Sequence, residues 1–191
     1  MARQTISTHP ALTRRAALLR GTAATAVAGF GLLAPPALAE QVDYSDHPLT
    51  GTWLAMANPP LPDDPQFPAT SLFTADGTVL LIFPTSQVGP QGPFLTSPVL
   101  GIWEPDSERR GRFTAVQVMS TLDGAFLGSI TIDGFPTVSE DGNTFTDDGS
   151  RATITFRDAA GTIVNQIIPT GQPAGRPVTA VKMSAGAPGF P

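Results

Sequence analysis

Residues 151–157 of the chain, RATITFR, alternate apolar and polar side chains. In an extended strand Ala152, Ile154 and Phe156 lie on one face, while the threonines and arginines lie on the other. This period of two is typical of a β-strand that is buried on one side. Similar runs, rich in Thr, Val, Ile or Phe, occur at residues 113–121, 126–132 and 162–168. The pattern therefore predicts a chain built mainly from strands.

Asp-Gly pairs separate these runs. Gly accepts the positive φ of a tight hairpin and Asp can bond its own backbone, so each pair is a predicted reversal. The pairs are Asp76-Gly77, Asp123-Gly124, Asp133-Gly134, Asp141-Gly142 and Asp148-Gly149. Helical periodicity is not found after Glu40. We therefore predict an all-β fold, an antiparallel up-and-down β-barrel of about eight to ten strands. A β-sandwich fits the same alternation and is the alternative.

The first 39 residues read as an export signal. A basic start leads into an uncharged stretch, residues 21–34, too short to cross a bilayer as a permanent helix, and small residues follow at 37–39. Residues 13–18, TRRAAL, resemble a twin-arginine signal, although Ala17 replaces the usual Phe. The resemblance implies cleavage after Ala39 and a folded protein delivered outside the cytoplasm, extracellular or periplasmic, with no membrane insertion after cleavage.

Three segments are therefore expected: residues 1–39 as signal, 40–183 as one barrel domain, and 184–191 as a flexible tail rich in Gly, Ala and Pro. Four of the 11 basic residues fall in the signal and none of the 16 acidic ones does, so the mature charge would be −9, seven basic residues against sixteen acidic. Such a surface repels phosphate backbones, which argues against a nucleic-acid partner. The chain has no Cys, so disulfides and thiolate metal sites are excluded.

A Gly-x-Trp motif at residues 49–53, LTGTW, is followed by FTADGTV at residues 73–79. Together they resemble the first hairpin of the calycins, the group that holds lipocalins, fatty-acid-binding proteins and avidins. The resemblance implies a barrel in which Trp53 plugs the closed end. In a lipocalin an Arg from the last strands often stacks on that Trp, and Arg157 and Arg176 are the candidates here. The Trp and Tyr cage needed for biotin is not present.

A second Gly-x-Trp stands at residues 101–103, GIW. It echoes the first motif, and a duplicated half-barrel is conceivable. A core aromatic role for Trp103 is the simpler interpretation, because large rings usually fill cores.

Two long connections rich in Pro occur at residues 57–68 and 84–98. In an up-and-down barrel they fall at the same end, where they would either form a lid over a pocket or be stiffened, solvated loops. The apolar residues offered by the two loops are Leu61, Phe67, Phe94 and Leu95.

The side chains available for catalysis are few. Beyond residue 39 there is one His, His47, one Tyr, Tyr44, and one Lys, Lys182, and nothing marks a nucleophile. No catalytic residue, metal ligand or cofactor is predicted. The oxygen-rich residues 141–149 lack the EF-hand order and are interpreted as two turns. No pattern indicates an oligomeric state.

Two functions from different classes remain. The first is a non-catalytic barrel that binds a small apolar or amphipathic molecule in its interior. Its predicted ligand-binding residues are Trp53, Phe83, Trp103, Phe113 and Phe126. The alternative is a cofactor-free cyclase or isomerase of the calycin-like type, in which Glu104, Asp123 or Asp133 faces inward as acid or base. A filled barrel that acts through its surface is a third possibility.

Overall fold

The computed structural model describes residues 42–58, 64–89, 92–171 and 176–186. Within those ranges the chain forms strands and turns, and no helix is long and apolar enough to cross a membrane. The described residues form 13 strands, more than the eight to ten predicted, and all of them belong to one antiparallel sheet. A sandwich needs two sheets packed face to face, so the sheet confirms the predicted all-β, barrel-like fold over the alternative.

The strands of the first half are β1 (Gly51–Ala57), β2 (Phe67–Phe73), β3 (Thr78–Ile82), β4 (Ser86–Gly89), β5 (Gly92–Thr96), β6 (Val99–Pro105) and β7 (Gly111–Ser120). The second half contains β8 (Phe126–Gly134), β9 (Thr137–Val138), β10 (Thr144–Asp147), β11 (Thr153–Asp158), β12 (Ile163–Ile167) and β13 (Val178–Lys182).

The sheet curls back on itself. Its pairing order is β12-β11-β8-β7-β6-β3-β2-β1-β13-β10-β9, with the β4–β5 hairpin attached to β7. The last strand, β13, pairs with the first, β1. At the far end of the order, β9 meets the chain just before β7, because Arg110 pairs with Thr137 and the Gly111 N–H donates to the Pro136 carbonyl (3.0 Å). The backbone bonds thus form a closed circuit at one end.

Strands β8 and β9 pair in the same register with β7 and the residue just before it. Phe113 of β7 pairs with Gly134, and Arg110 pairs with Thr137. On its other side this run has two partners: β9 pairs with β10, and β8 pairs with β11. The sheet therefore forks at Phe135. One branch closes the barrel through β10, and the other leads outward to β12.

Four of the five predicted Asp-Gly turns are confirmed, with positive φ at Gly77, Gly124, Gly142 and Gly149. The fifth is wrong, because Asp133 and Gly134 lie inside β8. A Cβ at Gly134 would overlap the Phe113 ring, so this Gly provides room for packing and does not turn the chain.

The connection over residues 84–98, expected as a loop, contains the β4–β5 hairpin. Pro93, on β5, is tolerated because this hairpin lies at an edge of the sheet, where a missing N–H leaves no gap in a central ladder. The direction of the strands places this hairpin and the β1–β2 connection at the same end, as predicted, and the Phe67 and Phe83 rings lie 5.8 Å apart there.

Candidate functional site

Aromatic rings fill the closed end of the barrel. The Trp53 ring meets Phe145 edge-on at 5.0 Å, and Phe73 lies 5.7 Å from Trp103 and 6.0 Å from Phe113. Trp53 is fully buried, and its indole N–H donates to the Leu49 carbonyl (2.9 Å). Trp53 therefore lies inside the ring cluster at this end of the sheet.

The cation beside Trp53 is Lys182. Its Nζ lies 5.2 Å from the ring centroid and donates to the Pro48 carbonyl (2.9 Å). The expected candidates lie elsewhere: Arg157 donates to Thr131 (3.0 Å), and Arg176 donates to the Asp64 carbonyl. The prediction of Arg157 or Arg176 was wrong because only the β1–β13 register shows which side chain of the last strand faces Trp53.

Trp103 anchors the segment that precedes β1. Its ring lies 5.0 Å from Tyr44 and 5.4 Å from His47, and its indole N–H donates to the Thr74 carbonyl (2.9 Å). His47 also contacts the Ser107 carbonyl through Nε2 (3.0 Å). These contacts fasten the lead-in chain beneath β3 and β6.

The five predicted ligand-binding rings do not share one cavity. Trp53, Trp103 and Phe113 belong to the ring cluster of the closed end. Phe83 is half-buried against Phe67 at the opposite end, and Phe126 is exposed at the start of β8. Rings that pack against each other in this way leave little exposed ring surface for a ligand.

Three of the four predicted lid residues lie within the described part of the chain, and all three are on strands. Leu61 lies outside the described residues. Phe67 begins β2, and Phe94 and Leu95 lie on β5, where Phe94 is buried against Gly89. Phe94 is a packing residue of the hairpin, whereas Phe67 remains beside the open end.

A groove of about 560 Å³ runs along the outside of the sheet near the closed end. Its floor includes a row of mutually paired residues, Ile102, Thr114, Asp133 and Thr153, from β6, β7, β8 and β11. Ile102 is 73% exposed, the most exposed large apolar side chain of the described core strands. Trp103 and Phe113 also line the groove, with Tyr44 and Phe135 among the other walls.

Paired charges border this groove. Arg112 forms an ion pair with Glu104, and Asp106 accepts bonds from Arg151 (2.9 Å) and Arg110 (2.6 Å). The bond from Arg151 and then that from Arg110 hold the pKa of Asp106 below its ordinary 3.8. The groove thus combines apolar surface with ionised groups that are already neutralised in pairs.

Arg151 also contacts an aromatic ring that lines the groove. Its guanidinium carbon lies 4.0 Å from the centre of the Phe135 ring. A cation held over a ring and against a carboxylate is fixed in orientation, since both partners restrict its rotation. Arg151 and Phe135 therefore form a rigid wall of the groove.

None of the three candidate carboxylates faces inward. Glu104 pairs with Arg112 on the outer face, Asp123 caps an exposed turn through Thr121, and Asp133 accepts a bond from Thr114 (2.5 Å). The expectation of an inward carboxylate among them was wrong, because all three lie on the solvent side of a strand or in a turn.

The carboxyl with a raised pKa is Asp147, which sequence reasoning missed. Burial raises its pKa above 3.8, although the N–H groups of Phe135 (2.7 Å) and Gly149 (3.0 Å) donate to its oxygens. No local signal identifies it, since Asp147-Asp148-Gly149 looks like an ordinary turn. Asp147 ties the fork at Phe135 to the turn after β10.

No cluster of three or more His, Cys, Asp or Glu residues suited to a metal ion occurs in the described part of the chain. Comparison with known proteins found no matching family model, curated protein or solved structure. The function is therefore argued from the geometry of the groove and of the closed end.

Proposed function

We propose that the protein is a non-catalytic, exported β-barrel protein that binds a small amphipathic molecule. The observation that carries the proposal is the groove of about 560 Å³, whose floor exposes Ile102 and whose walls include aromatic rings. Binding sites for small molecules are concave and mostly apolar, with a few polar groups that fix orientation. The groove combines apolar side chains of this kind with more charged groups than such sites usually have, namely Asp76, Glu104, Arg112, Asp133 and Arg151.

The proposed contact surface lies outside the barrel and not in its interior. At the closed end the interior is occupied by rings in mutual contact, whereas the groove keeps Trp103 and Phe113 at its boundary. Arg112 and Arg151 border the groove, each already in an ion pair, with Glu104 and Asp106 respectively, and Ile102 offers apolar contact to the body of a ligand. A polar head group that hydrogen-bonds to these paired side chains fits this arrangement, together with an apolar body on Ile102.

A fluorescent amphipathic anion, anilinonaphthalene sulfonate, tests the proposal directly. Ile102→Glu places a carboxylate on the groove floor and should weaken dye binding by about tenfold or more. Leu100→Glu is the matched control, because Leu100 is an exposed apolar residue two positions away on the same strand face but outside the groove. It should change binding by less than about twofold. Equal losses in both variants, or no dye binding to the wild type, would refute the groove as the site.

Native mass spectrometry identifies the physiological ligand class. Protein isolated from its own culture should carry a retained small molecule, and Ile102→Glu protein produced in the same way should carry much less. A retained molecule whose amount does not depend on Ile102 would place the ligand elsewhere, and the barrel interior would then be the remaining candidate.

The second candidate function is a cofactor-free isomerase or cyclase, favoured by the raised pKa of Asp147. A buried carboxyl with a raised pKa is a candidate proton donor or acceptor. Against this role, both of its oxygens are held by backbone amides, which is typical of a structural carboxylate. Conversion of the retained molecule by the wild type, abolished in Asp147→Asn protein that still binds it, would support the enzyme over the carrier.

The proposed site of action is outside the cytoplasm. Replacing Arg14 and Arg15 with Lys should trap the precursor inside the cell, because the twin-arginine pair is the recognised element of that signal. Continued delivery of this variant would refute the export route without affecting the binding proposal.

A further inference from the structure

The edge strand β12 has one partner in the sheet, β11, and ends the pairing order. Every residue of β12 is exposed, with Ile163 at 53%, Val164 at 62% and Ile167 at 53%. An exposed apolar edge strand is a template for pairing with another strand. At the other end of the order β9 is covered, since it meets residues 109–111.

The free edge of β12 carries backbone groups that are not bonded to β11. The Gln166 N–H donates to the Asn165 side-chain oxygen (2.9 Å), a bond that an incoming strand would have to replace. Backbone groups of alternate residues point to opposite edges of a strand, so Gln166 and Ile168 direct theirs away from β11, whereas Val164 lies at the register shift and has no partner on β11. These groups are positioned for the hydrogen bonds of an additional antiparallel strand.

Natural proteins usually protect such an edge with charged side chains, Pro within the strand or a bulge that twists it away. No charged residue occurs from Ala159 to Gly171, in a chain with a net charge of −5, and Pro169 follows the strand without interrupting it. A register shift with β11 does occur at the start of the strand, beside Ile163 and Val164. Among the described residues the edge is therefore left open from Asn165 to Ile167.

We propose that β12 pairs with β12 of a second copy of this chain, joining two sheets across a two-fold axis. With the two-fold axis at Asn165, Ile163 of one copy lies opposite Ile167 of the other, and Val164 lies opposite Gln166. Each contact therefore occurs twice, once on each side of the axis, as in any two-fold interface. The neutral stretch also brings two acidic molecules together without like charges directly opposed. One strand per copy is a small interface, so we expect dissociation at about micromolar concentrations.

Two lysine variants of the full chain test the pairing by sedimentation across a concentration series. Val164→Lys puts a charge at the free edge and should leave only monomer. Leu122→Lys is the matched control, since Leu122 is 61% exposed against 62% for Val164 but lies in the β7–β8 turn. It should dimerise like the wild type. A wild type that stays monomeric, or two variants with the same dimer fraction, would overturn the proposal.

The chain has no Cys, so a single introduced Cys can form a disulfide only with the same Cys of another copy. This gives a second test. Across the proposed axis two copies of residue 165 form a pair with a Cα separation of about 4.5 Å, within disulfide range. Asn165→Cys should therefore oxidise to a covalent dimer at concentrations where the wild type dimerises. Glu140→Cys, at an exposed hairpin, should not. Equal cross-linking of both variants, or assemblies larger than dimers, would contradict a two-fold pairing of β12.

Discussion

Lys182 Nζ lies 5.2 Å from the centre of the Trp53 ring, and the two residues are partners across the β1–β13 pair. One comes from the first strand and the other from the last. Gly51 makes the arrangement possible, because a Cβ there would lie 2.9 Å from Lys182 Cε. Both the Gly and the Trp of the first Gly-x-Trp motif therefore take part in the contact with Lys182.

Lys182→Met should lower the free energy of unfolding by about 1–2 kcal/mol. The change keeps the aliphatic stem but removes the cation near Trp53 and the bond to the Pro48 carbonyl. Urea unfolding followed by tryptophan fluorescence measures the effect. Arg109→Met, which removes an exposed ion pair of 3.9 Å with Glu140, should stay within about 0.5 kcal/mol. An equal loss in both variants would show that the contact with Trp53 contributes nothing specific.

Gly101→Ala should destabilise the protein by about 3 kcal/mol, because its Cβ would overlap the Thr114 carbonyl oxygen and press on Ala115. The comparison is Gly142→Ala, where no atom lies within 4 Å and only the φ of +75° opposes a side chain. Its expected cost is about 1 kcal/mol. Thermal unfolding of both variants decides the order, and a Gly101→Ala protein as stable as Gly142→Ala would mean that β6 and β7 can separate without cost.

Asp147 should make stability depend on pH in a direction unusual for a carboxyl group. Burial raises its pKa in the folded state, so the folded protein binds the proton more tightly than the unfolded chain. The contribution is therefore present below 3.8 and is lost as pH rises through the raised pKa. Urea unfolding over that interval should show wild-type stability falling relative to Asp147→Asn. A difference between the two proteins that does not vary with pH would contradict this assignment.

Asp106 should show the opposite dependence. The bonds from Arg151 and Arg110 lower its pKa, so its contribution is present above 3.8 and is lost as pH falls through the lowered value. Asp106→Asn should be less stable than the wild type at neutral pH, and the difference should shrink on acidification. Glu140→Gln serves as the control, since Glu140 forms only the exposed pair with Arg109. A constant difference across the acid range would rule out the two arginine bonds as its cause.

Local patterns predicted the strands well because period-two alternation and positive-φ turns are properties of short stretches. The alternation around Ile154 and Phe156 corresponds to β11, where both residues share a face with Ile130 and Ile132 of β8. The expected burial was only partly right, because Ile154 and Phe156 are half-buried and the buried residue of the strand is Thr155 from the other face. Asp133-Gly134 shows where this reasoning stops. The dipeptide resembles a turn, but Gly134 is needed because a side chain there would overlap the Phe113 ring across the sheet.

The groove could not be predicted, because it is assembled by register. Its floor brings Ile102 beside Thr114 and then Asp133 and Thr153, positions spread over four strands. A one-residue slip in any pair would turn these side chains to the other face. Asp147 was missed for a related reason: its environment is set by the fork at Phe135, and no local pattern marks that fork.

The bond from Lys182 to the Pro48 carbonyl spans 134 positions of the chain. Contacts between such distant segments form slowly, because a long loop must close before they contribute. During synthesis β1 and β10 therefore stay as bare edges until residues 178–182 have emerged from the ribosome. A chain released earlier would display both edges to its neighbours, so premature termination before β13 should produce aggregates and not a smaller soluble protein.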